Sequence, residues 1–258
     1  MHSYSSKIAE FKAKLQADGV FGCFSKTTDS SVIEAIGLSG SDYIIVDMEH
    51  GPVTTETLKG HMMALNASEM AGIVRVPSWE SPLLEKALDL GAHGVQVSSV
   101  TSAEQAKKVI RRMKFYPDGE RGVCRFVRAA DYAEKDKASY FKEANHSLVI
   151  LQLEGAEAIR NLASILEVKG IDVLFIGPYD LSQSLGVPGQ IQHEKVMQAM
   201  RKIVAEASAK GVFTGIFCDQ PDQASYWKSL GVKYISYSVD IHLLADTVRN
   251  LKDQLFPR

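Results

Sequence analysis

The stretch DYIIVDME, Asp42 to Glu49, followed at once by His50, Gly51 and Pro52, carries the reading of the fold. Ile44, Val46 and Met48 recur at a period of two, which marks a β-strand with one side against a hydrophobic layer. The same period turns Asp47 and Glu49 to the other side and leaves His50 just past the strand's end. A parallel barrel accounts for this pattern. Its outward residues meet helices and its inward residues fill the interior, while the catalytic face lies at the carboxyl ends of the strands.

Seven further apolar, β-rich runs flank this one. They are VFGCFS (Val20 to Ser25), GIVRV (Gly72 to Val76), GVQVSSV (Gly94 to Val100) and SLVILQLE (Ser147 to Glu154), then VLFIGP (Val173 to Pro178), VFTGIF (Val212 to Phe217) and YISYSV (Tyr234 to Val239). Helical patterns such as SPLLEKALDLGA and SAEQAKKVIRRMK separate them. Ser81 and Ser102 suit N-caps there, and Pro82 suits a first helical position. Gly91, Gly170, Gly211 and Gly231 sit where a helix wants a left-handed residue after its last turn. Roughly eight βα units in a row give an α/β chain, a single (β/α)8 TIM barrel over residues 1–258 without a linker. An open doubly wound sheet is the alternative, but no Gly-x-Gly-x-x-Gly follows the first run.

Composition removes several function classes. Of 258 residues, 45% are hydrophobic and 23% charged, and 31 acids against 29 bases leave a formal charge of −2. A disordered chain would be less apolar and more charged, and a nucleic-acid binder would be basic. No apolar run approaches the roughly 18–20 residues that span a bilayer. The opening MHSYSSKIAEFKAKL has no apolar signal core and reads as a surface helix. Cys23, Cys124 and Cys218, odd in number and widely spaced, suit reduced thiols and a cytoplasmic location. Lys107, Lys108, Arg111, Arg112 and Lys114 read as a solvated helix face. The irregular segment Phe115 to Lys137, with FYPDGERG and the arginines Arg121, Arg125 and Arg128, reads as surface structure or a subunit contact, or else as a functional βα loop.

Polar residues that break the strand pattern point to a site. Val74 and Val76 face helices, so Arg75 points inward. Val149, Leu151 and Leu153 set Gln152 and Glu154 inside, and Ile235, Tyr237 and Val239 set Ser236, Ser238 and Asp240 inside. Charge in a barrel interior is costly unless paired or bound to metal. Asp47 or Asp240 could each cap a helix and Arg75 could belong to a core ion pair, but acids, Arg and His converging on one rim favour a site. Glu154 and Asp180 end consecutive strands, and two carboxylates without nearby Cys or His make a hard site suited to Mg²⁺ or Mn²⁺. A 2-oxo acid could chelate such an ion, which would stabilise its enolate. The amides of Tyr179 and Asp180 could hold the acid's carboxylate and Arg75 its keto oxygen. Histidine changes charge near neutrality, so His50 is the acid/base, with Asp47 able to orient it. No Lys sits inward at the end of the sixth or a neighbouring strand, and no Gly-x-Ser-x-Gly occurs, so neither a Schiff-base lysine nor a serine nucleophile is evident.

MEHGP after IIVD, VRVP, the stretch from GAHGVQVSSV through PDGERGV, LQLEG and FIGPYDLSQSLG occur in one order. In these the chain resembles the class II, divalent-metal-dependent pyruvate aldolases, such as 4-hydroxy-2-oxoheptanedioate aldolase and 2-keto-3-deoxy sugar-acid aldolases, from about Val20 to Asp240. The resemblance implies a carbon–carbon lyase that cleaves a 4-hydroxy-2-oxo acid to pyruvate, or a related 2-oxo acid, and an aldehyde. It implies metal on Glu154 and Asp180 (Mg²⁺ or Mn²⁺, with Co²⁺ a further choice) and no organic cofactor. It gives His50 the acid/base role supported by Asp47, and Arg75, Gln152, Tyr179 and Asp180 to the pyruvyl group. Asp89 would be a carboxylate brought in from a neighbouring subunit, within a homohexamer whose last helix packs on a partner. Val97, Ser98, Ser99 and Val100 stand where many relatives read V-P-M-V, and Cys124 and Arg125 follow RGV, so the aldehyde end is expected to differ. A CoA-ester lyase of the citrate-lyase-β-like group and a non-catalytic carboxylate-binding barrel are the rival readings.

Overall fold

Each apolar run of the sequence forms a strand, and in the computed structural model, which describes residues 4–257, the eight strands pair in chain order, all parallel, and close. They are β1 (Val20–Ser25), β2 (Tyr43–Asp47), β3 (Ala71–Val76), β4 (Gly94–Val97), β5 (Leu148–Leu153), β6 (Val173–Ile176), β7 (Phe213–Cys218) and β8 (Tyr234–Val239). Around them run α1 (Tyr4–Gln16), α2 (Ser30–Leu38), α3 (Thr55–Ala64), α4 (Leu83–Asp89), α5 (Ala103–Met113) and α6 (Lys137–Ala144). The second half adds α7 (Ala156–Arg160), α8 (Leu162–Leu166), α9 (Pro178–Ser184), α10 (Glu194–Ala209), α11 (Pro221–Ser229) and α12 (Asp240–Leu255). Ser102 caps α5 by accepting from Gln105 N, whereas Ser81 lies one residue further out, with Pro82 as the cap of α4. Gly91, Gly170, Gly211 and Gly231 all have positive φ, as turns out of helices require. Among the described residues no helix is long and apolar enough to cross a membrane.

Strand alternation separates two cores. Ile44, Val46, Val74, Val76, Val149, Leu151 and Leu153 pack outward with the helices. Tyr43, Ile45, Ile73, Ile150, Phe175 and Tyr234 fill the interior, where Tyr43 and Tyr234 stack at 4.1 Å. Gly22 makes room for this stack, since a Cβ there would lie 2.7 Å from Cδ2 of the Tyr43 ring. The first helix departs from the expected surface placement. Ile8, Phe11 and Leu15 of α1 are buried, and Phe11 meets the Tyr43 and Tyr234 rings edge-on, so α1 is the floor at the amino-terminal end of the barrel. Their spacing of three and four is a helix stripe seeking a core.

Three other expectations change. The pairing of β1 with β8 slips between Gly22 and Phe24, and Ser238 takes φ +59°, so Val239 turns inward beside Phe24 instead of facing helices. Lys114 is not solvated: it is buried and donates to the carbonyls of Asn145 and Ser147. The segment 114–136 joins α5 to α6 ahead of β5, so it is an αβ connection on the floor side and not a βα loop. Its arginines tie it down: Arg121 pairs with Asp89, Arg125 donates to the carbonyls of Ala133 and Lys135, and Arg128 to those of Leu90 and Met62.

Beyond Asp240, α12 leaves the barrel with no buried residue. Ile241, Leu244, Val248, Leu251 and Leu255 form an exposed stripe along it. On the outer side of β1 and β8, Cys23 and Ile235 are buried, but Phe21 is 52% exposed and stacks on Tyr237.

Candidate active site

Asp47 and Arg75 are register partners at the ends of β2 and β3. The carboxylate accepts from Arg75 Nε at 2.9 Å and Nη2 at 2.7 Å, a two-pronged ion pair in which Asp47 is fully buried. Burial acts to raise the Asp47 carboxyl, but the guanidinium and the amides of His50 and Glu49 outweigh it and hold the group below the usual carboxylate range. Those amides donate to Oδ1 at 3.1 Å each. Asp47 therefore shapes the turn that carries His50, through the backbone amide and not through the imidazole ring. The His50 ring is exposed at the rim, with Nε2 4.0 Å from Glu49 Oε2. Glu49 in turn accepts from Ser98 Oγ at 2.6 Å and lies 3.3 Å from Arg75 Nη1.

Across the barrel a chain of amides leads to Glu154. Gln96 Nε2 donates to Gln152 Oε1 at 2.7 Å, and Gln152 Nε2 donates to Glu154 Oε2. Ser99, at φ +57°, gives both its amide and its hydroxyl to Glu154 Oε1, at 2.8 Å each. Burial pushes the Glu154 carboxyl up, and although the donors from Gln152 and Ser99 oppose this, the negative charges of Asp180 and Glu49 reinforce it. Gly177 leaves the space beside it: a Cβ there would stand 3.1 Å from Glu154 Oε2. Asp180 lies in the first turn of α9, whose first internal bond runs from Leu181 N to the Gly177 carbonyl. The Tyr179 and Asp180 amides thus have no helical acceptor.

A cavity of about 210 Å³ opens between these groups, lined by Arg75, Gln152, Tyr179 and Asp180 and by residues the sequence reading missed, Lys26 and Phe217. It is smaller than the roughly 300–1,000 Å³ of pockets that take drug-sized ligands, which suits a small acid. Among the described residues no group of three or more His, Cys, Asp or Glu could hold a metal. Glu154 and Asp180 nonetheless fit a hard divalent ion: both offer oxygen donors, the charge of Asp180 acts on Glu154, and such ions keep water or substrate in their other positions. The serines are the other omission: Ser98 and Ser99 brace Glu49 and Glu154, where sequence suggested only a roomier or more polar pocket. Asp240, expected inside the barrel, instead accepts from Ser25 Oγ and from the amides of Lys26 and Thr27. Asp89 is not brought to this rim; it ends α4 on the floor side, where Arg121 Nη2 donates to it at 2.7 Å.

Acids, an arginine and a histidine gathered at the carboxyl rim of a closed parallel barrel define an enzyme of the (β/α)8 class. The particular family follows from comparison: residues 20–247 match HpcH/HpaI aldolase/citrate lyase, and the chain belongs to that family. A hydroxypyruvate/pyruvate aldolase of Roseobacter denitrificans is 32% identical over 243 residues, 93% of this chain and 94% of that one. A 5-keto-4-deoxy-D-glucarate aldolase of Escherichia coli is 31% identical over 246 residues, 95% of each. The crystal structure of a family member from Burkholderia cenocepacia superposes with a TM-score of 0.90 at 31% identity, covering 95% of this chain and 98% of that one. These aldolases are carbon–carbon lyases, and so is this enzyme.

Proposed function

We propose that the enzyme reversibly cleaves a 4-hydroxy-2-oxo acid to pyruvate, or a related 2-oxo acid, and an aldehyde, with a divalent cation such as Mg²⁺ or Mn²⁺ held by Glu154 and Asp180. The observation that carries this reading is Glu154: a half-buried carboxylate, braced by Ser99 and Gln152 and repelled by Asp180, beside a cavity lined by Arg75. Bound there, the cation supplies Lewis-acid polarisation of the keto group. Arg75, fixed by Asp47, places positive charge where the oxygen of the 2-oxo fragment gains negative charge as the C3–C4 bond breaks. His50 takes the proton of the C4 hydroxyl as that carbon becomes the aldehyde carbonyl, and the three-carbon fragment takes up a proton at C3. Gln152 acts by position, since its carboxamide is committed at both ends. The Tyr179 and Asp180 amides receive the substrate carboxylate.

The exposed Phe21 on the outside of β1 and the apolar stripe of α12 support a homo-oligomer in which α12 covers a neighbour's barrel. Asp89 would reach a site only across such a subunit boundary. Pyruvate release from racemic 4-hydroxy-2-oxo acids, coupled to lactate dehydrogenase, tests the catalytic reading. Activity should vanish with chelator and return with Mg²⁺ or Mn²⁺. Chelator-insensitive release contradicts the metal assignment, and release of a free thiol or acetyl-CoA from CoA esters would place the enzyme with the CoA-ester lyases instead.

A further inference from the structure

The aldol reading assigns nothing to Gln96. On β4, Val95 and Val97 pack outward with the helices, so Gln96 points into the barrel, where it is fully buried. Its Nε2 donates to Gln152 Oε1 at 2.7 Å, whereas its Oε1 is buried with no hydrogen-bond partner among the described residues. A buried acceptor without a donor costs stability, and an apolar side chain would fill this place more favourably. What the amide adds is its one contact, to Gln152.

That contact selects one orientation of a group that is nearly symmetric in shape. A carboxamide carries an acceptor oxygen at one end and a donor NH₂ at the other. In buried Gln152 the oxygen meets Gln96 Nε2 and the NH₂ meets Glu154 Oε2. Turned over, the NH₂ would face the NH₂ of Gln96 and the oxygen would face the Glu154 carboxylate, so both contacts would become repulsive. Glu154 Oε1 already accepts from Ser99 N and Ser99 Oγ, at 2.8 Å each, which occupies both of its lone pairs. Oε2 accepts only from Gln152 among the described residues and keeps a lone pair. Oε2 is also the oxygen beside Gly177, which lines the cavity and whose added Cβ would stand 3.1 Å from it. The oxygen free to meet a cation is thus the one that Gln152 holds.

We propose that Gln96 is a positioning residue for the cation: by holding the Gln152 oxygen it keeps the Gln152 donor on Glu154 Oε2, and so aims the remaining lone pair of that oxygen. This rests on the reading that Glu154 helps to hold a divalent cation. The test measures the Kd of Mn²⁺, by water-proton relaxation, for the wild type, Gln96→Met, Gln152→Met and the double variant, with thermal midpoints alongside. Gln96→Met should weaken Mn²⁺ binding about tenfold while its midpoint stays level or rises, since the orphan oxygen is gone. Gln96→Leu repeats the measurement if Gln96→Met does not fold. In the Gln152→Met background the same change should cost nothing further, because Gln96 acts through Gln152. Unchanged affinity in Gln96→Met, or losses that multiply in the double variant, overturns the inference. Weaker binding that comes with a clearly lower midpoint assigns Gln96 to the fold and overturns it too. Glu154→Gln separates the two levels. If it removes a site that Gln96→Met leaves intact, the Gln96 assignment alone fails. If the wild type binds no Mn²⁺, or Glu154→Gln binds it as tightly, the cation reading beneath it fails.

Discussion

Asp47 and Arg75 face each other in register across β2 and β3, and one carboxylate meets both Nε and Nη2 of one guanidinium. Breaking a buried pair leaves an uncompensated charge, which typically costs about 3–5 kcal/mol. Asp47→Asn should therefore lower the urea midpoint and reduce kcat about a hundredfold or more, since Arg75 loses its aim. A folded carboxyl held low adds stability that is complete above its unfolded value, near pH 4, and is lost as pH falls through the folded value. The variant should lose less stability than the wild type on acidification below pH 4. Equal midpoints and equal kcat at pH 7 would show that the fork contributes to neither property.

Gly177 gives a lever on Glu154 that spares the carboxylate itself. A methyl at that position would sit 3.1 Å from Glu154 Oε2 and 3.3 Å from its Cβ, so that side chain must shift by a few tenths of an ångström. Gly177→Ala should weaken Mn²⁺ affinity, read by calorimetry or paramagnetic relaxation, about tenfold, with little change in thermal midpoint. Unaltered Mn²⁺ binding would remove Glu154 from the cation site.

His93 sets an acid limit on the barrel. It is buried near the start of β4, with Nδ1 accepting from Gly72 N at 3.0 Å, and burial, helped by the charges of Lys7, Arg128 and Lys135, pushes it down to about 3. An unfolded histidine titrates near 6.5, so between pH 6.5 and 3 the unfolded chain binds a proton that the folded one refuses. Stability is full above pH 6.5 and declines as pH falls, by an amount on the order of several kcal/mol near pH 4. Denaturant titrations at pH 7.5 and 5 should differ clearly in the wild type and much less in His93→Asn, whose side-chain oxygen can accept from Gly72. Identical pH slopes in the two proteins would exclude His93 as the cause.

The α12 stripe supplies a test of assembly. Leu244 is 68% and Val248 59% exposed, one turn apart. Leu244→Glu combined with Val248→Glu should shift the mass found by light scattering toward the monomer without altering the circular dichroism of the barrel. A monomeric wild-type enzyme, or an assembly indifferent to both charges, contradicts the interface.

Two-residue alternation made most of this legible. In β2, β3 and β5 the apolar set names the helix side, and Asp47, Arg75, Gln152 and Glu154 fall where the pattern puts them. Elsewhere the period breaks for reasons that no single residue announces. Ser238 in a left-handed conformation shifts β8 by one position, which turns Val239 inward and converts Asp240 from an interior acid into the anchor of the β1 loop. Lys26 escaped notice because β1 carries no polar inward residue to mark its rim. Ser98 and Ser99 looked like spacers because a brace is visible only once Glu49 and Glu154 have been brought beside them. Arg121, Arg125 and Arg128 could not be placed without knowing which end of the barrel their segment closes.

The most direct measurement follows the methyl resonance of pyruvate in D₂O with the enzyme, no acceptor, and either Mn²⁺ or Mg²⁺ or a chelator. Proton exchange at that methyl requires the site to hold the 2-oxo acid, stabilise charge on its oxygen and move a proton at C3. Exchange should proceed with the metal, stop with chelator, and fall at least a hundredfold in Glu154→Gln. A folded wild-type enzyme that shows no metal-dependent exchange contradicts the assignment of Glu154, Asp180 and Arg75 to a pyruvyl site.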